Sequence, residues 1–144
     1  MTTREQDNKA VVQRFISEFV NDKHYDLVDD IFTEEYTRHD PASPESESGP
    51  GPWVESVKGL HQAFPDAEVR IGELIAEGDL VAFEGTMTGT HRGDFRGIEP
   101  TDSSVEIQGN AMHRVRDGQI AETWATWDFL GLLTQVGVVD PPTE

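Results

Sequence analysis

The pair Asp117-Gly118, set between two runs of alternating apolar and polar residues, constrains this chain more than any other feature. Both residues of a two-residue hairpin turn of this kind take positive φ, which Asp and Gly tolerate, so the pair predicts a β-hairpin. The first strand, 104–116, places Val105, Ile107, Gly109, Ala111, His113 and Val115 on one face. Glu106, Gln108, Asn110, Arg114 and Arg116 fall on the other. With a two-residue turn, Val115 pairs with Ile120, His113 with Glu122, Ala111 with Trp124 and Ile107 with Asp128. All eight side chains then share the mostly apolar face, which alternation assigns to the core. His113 and Glu122 become an adjacent acid–base pair in a setting that perturbs pKa values.

The rest of the chain reads as helices followed by strands. Val11, Val12, Phe15, Ile16 and Phe19 share one helical face between about Asp7 and Val20. Leu27, Val28 and Ile31 point inward from a shorter helical stretch, and Phe32 to Asp40 is extended up to Pro41. Residues 41–52 hold four prolines and no large apolar group, the composition of a flexible loop or lid. Trp53, Val57, Leu60 and Phe64 recur at helical spacing until Pro65. From Ala67 the period falls to two, with strands over 67–77 and 80–90 meeting at Gly78-Asp79 and a bulge at Gly72. A loop over 92–103 leads into strand 104–116. Helices first and an antiparallel meander second define an α+β class with the helices on one sheet face.

Composition narrows the partners. Twenty-eight acidic residues against eleven basic ones give a formal charge of −17, which repels nucleic-acid phosphates and anionic lipid. There is no cysteine, so disulfides and thiol chemistry are excluded. No apolar run approaches a membrane span, and the opening Met-Thr-Thr-Arg-Glu-Gln-Asp lacks the apolar core of a secretory signal. A single domain over 1–144, with a tail at 138–144 and a cytoplasmic location, is expected. The charge fits either a salt-loving source or an ordinary acidic protein.

Several segments together resemble the SnoaL-like polyketide cyclases, of the nuclear transport factor 2-like superfamily. They are Tyr-Thr-Arg-His-Asp-Pro at 36–41, Phe-Pro-Asp at 64–66, Ala-Glu-Gly-Asp at 76–79 and Gly-Thr-His-Arg-Gly-Asp-Phe-Arg-Gly-Ile-Glu-Pro-Thr at 89–101. Arg-Val-Arg-Asp-Gly-Gln-Ile-Ala-Glu-Thr-Trp at 114–124 and Gly-Leu-Leu-Thr-Gln-Val-Gly at 131–137 complete the series. The resemblance covers nearly the whole chain. It implies a cone of curved antiparallel sheet and N-terminal helices around an apolar pocket, commonly a homodimer, and an intramolecular aldol ring closure without metal or cofactor. It also implies a catalytic aspartate at the position of Ala125 and an assisting histidine at that of Ala111. Neither side chain is present.

The remaining candidates carry alternatives. Asp128 reads as the N-cap of a helix over Phe129–Val136, as a pocket carboxylate, or as both. His113 with Glu122 is either an acid–base pair or a buried structural one. His91 lines the pocket mouth or ties down its loop, and the resemblance places His39 at the opening with Tyr36. Trp53 and Trp124 read as core or pocket wall. His24 and His61 fall among exposed helix positions, and no histidine spacing suggests a metal. Three functions follow. The first is a cofactor-independent lyase, isomerase or cyclase-like enzyme acting on a small hydrophobic carbonyl or ester compound. Asp128, His113 and Glu122 are its catalytic residues, and His39, His91, Trp124, Tyr36 and Trp53 its substrate contacts. The second is a non-catalytic protein binding the same class of small molecule, and the third a pure dimerisation module.

The net charge of −17 makes a direct prediction. Salt screens self-repulsion, so the melting temperature should climb as KCl is raised from low to molar concentration. A flat or falling curve would remove the dependence on salt.

Overall fold

α1 (Thr3–Arg14) begins with a reciprocal cap, in which Glu5 N donates to Thr2 Oγ1 and Thr2 N donates to Glu5 Oε1. The computed structural model describes residues 2–42 and 48–140. α1 runs into a wider π-helical segment, Phe15–Asn21, that buries Phe15, Ile16, Phe19 and Val20 on one side. The extra width lets residues four and five apart share a face. Phe15 and Phe19 both meet Phe32 edge-on, with centroids 5.4 and 5.5 Å away. A short turn (Tyr25–Leu27) and α2 (Val28–Ile31) deliver the chain to β1 (Phe32–His39).

α3 (Gly51–Ala63) starts earlier than its apolar period suggests, because Pro52 sits in the first turn, where its missing N–H costs nothing. Gly51 and Pro52 therefore belong to a helix rather than to the expected lid. The middle of that loop, 43–47, lies outside the described residues, as does the end of the expected tail, 141–144. No described helix is long and apolar enough to cross a membrane.

The strands β2 (Glu68–Glu77), β3 (Leu80–Thr90), β4 (Ser104–Arg116) and β5 (Gln119–Trp127) form the expected antiparallel meander, and α4 (Phe129–Gln135) follows. The bulge at Gly72 is present between the Ile71 and Leu74 pairings, where Glu73 N donates to Glu84 Oε1. The sheet order is β1-β5-β4-β3-β2, curved and unclosed. One expectation is corrected, since β1 runs parallel to β5 and the sheet is mixed. β1 is joined to β2 through α3, on the opposite edge, so it docks beside β5 in the same direction instead of extending the meander.

The hairpin turns where Asp117 and Gly118 predict, with φ of 49° and 80°. Val115 pairs with Ile120 as expected. Beyond that pair the register slips by one, because Ala121 is an extra residue on β5. Arg114 now faces Glu122, His113 faces Thr123, Met112 faces Trp124, and Ala111 faces Ala125. The expected His113–Glu122 and Ala111–Trp124 pairs do not form, and Ile107 does not pair with Asp128. An unbroken strand would carry Glu122 inward with Ile120. The bulge keeps Ile120 fully buried and leaves the carboxylate on the outer face, avoiding the cost of burying it.

Gly109 shows how closely the inner face is packed. A Cβ there would lie 2.4 Å from the Trp127 ring and 2.8 Å from Thr126 O. Gly109→Ala should therefore cost about 1–3 kcal/mol, as overpacked sites do. Urea unfolding measures this, and an unchanged midpoint would show that the strand relaxes around the methyl group.

Candidate functional site

Between the helices and the inner sheet face lies a cavity of about 440 Å³, a size typical of small-molecule sites. Phe15 and Ile16 cover it, Phe83 and Trp127 line its sheet side, and Trp53 comes from α3. Ala111 and Ala125 face each other across β4 and β5 and both reach the same cavity. These are the two positions at which the resemblance implies the aspartate and its histidine. The sheet side of the cavity is thus methyl-lined where ring-closing chemistry would need a base.

His113 is a buried polar residue two positions further along β4 and also on the cavity wall. Its ring lies between Phe83, stacked at 5.7 Å, and Phe15, edge-on at 5.7 Å. Nδ1 is 2.8 Å from Thr123 Oγ1, and Nε2 is buried with no partner among the described residues. Burial, with the charge of Arg38 adding to it, pushes the imidazole down to about 3. It is neutral at physiological pH and a very weak base, suited to hydrogen bonding rather than to proton abstraction.

Several expected site residues stand elsewhere. Glu122 is on the opposite sheet face, where His39 Nε2 lies 2.8 Å from its Oε2 and Arg114 Nε lies 3.7 Å from its Oε1. His39 stacks on Trp124 at 5.4 Å, so Glu122, His39 and Trp124 form an outer-face cluster away from the cavity. The end of β1 explains this, because Tyr36 and Arg38 face inward and His39 pairs outward beside Trp124. Asp128 caps α4, with Gly131 N donating to its Oδ1 at 2.8 Å, and does not line the cavity. His91 is fully buried and stacks on Phe64, and Thr101 N donates to its Nδ1 at 3.3 Å. It ties down the 92–103 loop. His61, expected on an exposed face, is buried and hydrogen-bonded to Tyr25 Oη. Tyr36 is buried behind the wall, and burial raises its hydroxyl pKa.

Trp53 does line the cavity, and Arg38 lies flat over its ring at 3.6 Å. Arg38 and Asp40 border the cavity at the end of β1, with Arg38 Nη2 3.6 Å from Asp40 Oδ2. Neither stands out in the sequence beside His39, yet the inward period of β1 points to both. Thr123 was hidden by the slip at Ala121.

Helices laid over a curved, unclosed sheet with a cavity between them are the frame of this site. A model of the SnoaL-like polyketide cyclases matches residues 10–136, and the chain belongs to that family. Among solved structures it is similar to a SnoaL-like candidate cyclase from Jannaschia sp. CCS1, at 24% identity and a TM-score of 0.88 over 99% of this chain and 98% of that one. IdmH, a candidate polyketide cyclase from Streptomyces antibioticus, is 26% identical with a TM-score of 0.80, covering 91% of this chain and 99% of its own. AclR, a candidate hydroxylase from Streptomyces galilaeus, is 24% identical with a TM-score of 0.85, covering 97% and 87%. No curated protein matches the sequence. One fold thus carries proteins assigned to different chemistries, and the residues of the site have to decide the function.

The buried imidazole predicts a pH dependence. His113 has its ordinary value of 6.5 when unfolded and about 3 when folded. Between these values only the unfolded chain takes up the proton. Stability is therefore full above 6.5 and falls as the pH drops, by at most about 1.4 kcal/mol per pH unit. His61, also lowered by burial, acts with the same sign. Between pH 7 and about 5.5, above the carboxylate range, lowering the pH should cost wild type more stability in urea unfolding than it costs His113→Gln. Equal slopes would show that His113 is protonated in the folded protein.

Proposed function

We propose that this protein binds a small hydrophobic carbonyl or ester compound in the cavity and does not close rings by the aldol chemistry associated with its family. The observation that carries this reading is the Ala111–Ala125 pair facing the cavity where a base and its partner would stand. A positioned general base typically contributes about 10²–10⁴-fold, and a methyl group contributes none of it. His113 does not replace it, because an imidazole held near 3 gives little driving force for removing a carbon-bound proton. What His113 offers is a hydrogen bond in an apolar wall, the kind of polar group that orients a ligand.

A second reading rests on Asp40. It is a carboxylate bordering the same cavity, just past the end of β1 rather than on β5, and a base there would serve a substrate lying across the cavity mouth. Two measurements separate the readings. Prodan, a neutral aromatic ketone whose emission moves to the blue in apolar surroundings, should bind with a blue shift that His113→Phe reduces. Wild type should give no ring closure of a polyketide methyl ester, and Ala125→Asp with Ala111→His should gain a trace. Prodan emission unchanged by the protein would sink the binding reading. Robust wild-type turnover lost in Asp40→Asn would make the protein an enzyme with a relocated base.

A further inference from the structure

Arg38 is placed unusually for a surface cation. Its side chain is only 16% exposed, and it borders a cavity whose walls are mainly aromatic and aliphatic. Both faces of a guanidinium are apolar enough to stack, and one of them is spent on the Trp53 ring at 3.6 Å. The N–H groups point out from the edges of that plane, and among the described residues none of them makes a hydrogen bond. Asp40, 3.6 Å away, is within ion-pair range but beyond hydrogen-bonding distance. Its other oxygen already accepts from Ala42 N at 2.9 Å.

Other unspent polar atoms lie near the guanidinium. Trp53 Nε1, Tyr36 Oη and His113 Nε2 are buried without partners among the described residues. Arg38 and His113 line the same cavity, and Arg38 pairs across the β1–β5 seam with Thr123, whose hydroxyl meets His113 Nδ1. A half-buried cation at the edge of the cavity, with N–H groups not taken up by acceptors among the described residues, is open to an acceptor that arrives there.

We propose that the compound bound in the cavity carries a carboxylate on its apolar body, and that Arg38 is the residue that binds it. This deepens the reading of the cavity as a ligand site and rests on it. A planar guanidinium offers two parallel N–H groups to the two oxygens of a carboxylate, a match that a lysine ammonium lacks. The indole beneath holds that fork in a fixed plane, so little order is lost on binding. The apolar body fills the space below, against Phe15, Phe83 and Trp127. The ligand class is then an aromatic or alicyclic carboxylic acid, taken up as its anion against the prevailing negative charge of the protein.

The test is calorimetric titration of the full chain with 2-naphthoate and with its uncharged methyl ester, at pH 7 and physiological salt. Wild type should bind the acid more tightly by about tenfold or more, the scale of a charge-assisted pair of hydrogen bonds. Arg38→Gln should abolish that preference, and Arg38→Lys should restore part of it. Because Arg38→Gln also gives up the stack on Trp53, the ratio measured on wild type decides without any variant. An ester that binds wild type as well as the acid overturns the carboxylate and leaves the cavity reading standing. Binding of neither probe overturns both. A preference for the acid that survives Arg38→Gln overturns the assignment to Arg38.

Discussion

Ile120 and Glu122 place incompatible demands on one strand. Strict alternation would put both on the same face, yet one is an aliphatic residue with a core to fill and the other a carboxylate that is expensive to bury. The extra residue at Ala121 resolves the conflict, and the identity of everything beyond it on β5 follows. Thr123, Ala125 and Trp127 turn inward, and Glu122 and Trp124 turn outward. Had the strand continued without the bulge, Trp124 would occupy the space now left open beside Ala111. The bulge that keeps a charged residue in water also sets a methyl group, at Ala125, on the cavity wall.

The inner wall that results is unusual in its polar content. It presents a neutral imidazole steadied by a threonine hydroxyl, and a guanidinium steadied by an indole. Neither arrangement is that of a group about to accept a proton from carbon. Both are polar groups held in place around apolar space. Membership of a family of polyketide cyclases therefore transfers the architecture more readily than the reaction, because the architecture depends on dozens of core positions and the reaction on a few.

Most of the fold was legible in the sequence because its signals are local. The turns at Gly78-Asp79 and Asp117-Gly118, the bulge at Gly72 and the boundaries of β4 all follow from short runs of residues. The parallel seating of β1 was not legible, since nothing in 32–39 specifies a partner at the other end of the chain. The site was read less well for one reason that propagates. A single slip at Ala121 reversed the facing of Glu122 and Trp124, and with them the acid–base pair expected of His113. The conflict was visible in Ile-Ala-Glu-Thr-Trp, where two residues apart cannot both sit where their chemistry prefers. On β1, attention to His39 obscured its neighbours, although the inward step from Tyr36 to Arg38 extends to Asp40.

The docking of β1 against β5 has a consequence for how the molecule comes into being. His39 is paired with Trp124, so the strand made first among the five waits for the one made last. During synthesis β1 has no neighbour to satisfy its backbone, and the cavity wall it contributes has nothing to face until the final hairpin emerges. Long-range pairing of this kind slows folding, because the loop must close before any contact rewards it. The binding chamber and the last strand are thus completed in one event. A chain shortened before Gln119 would lose not an edge of the sheet but the surface on which its first strand rests.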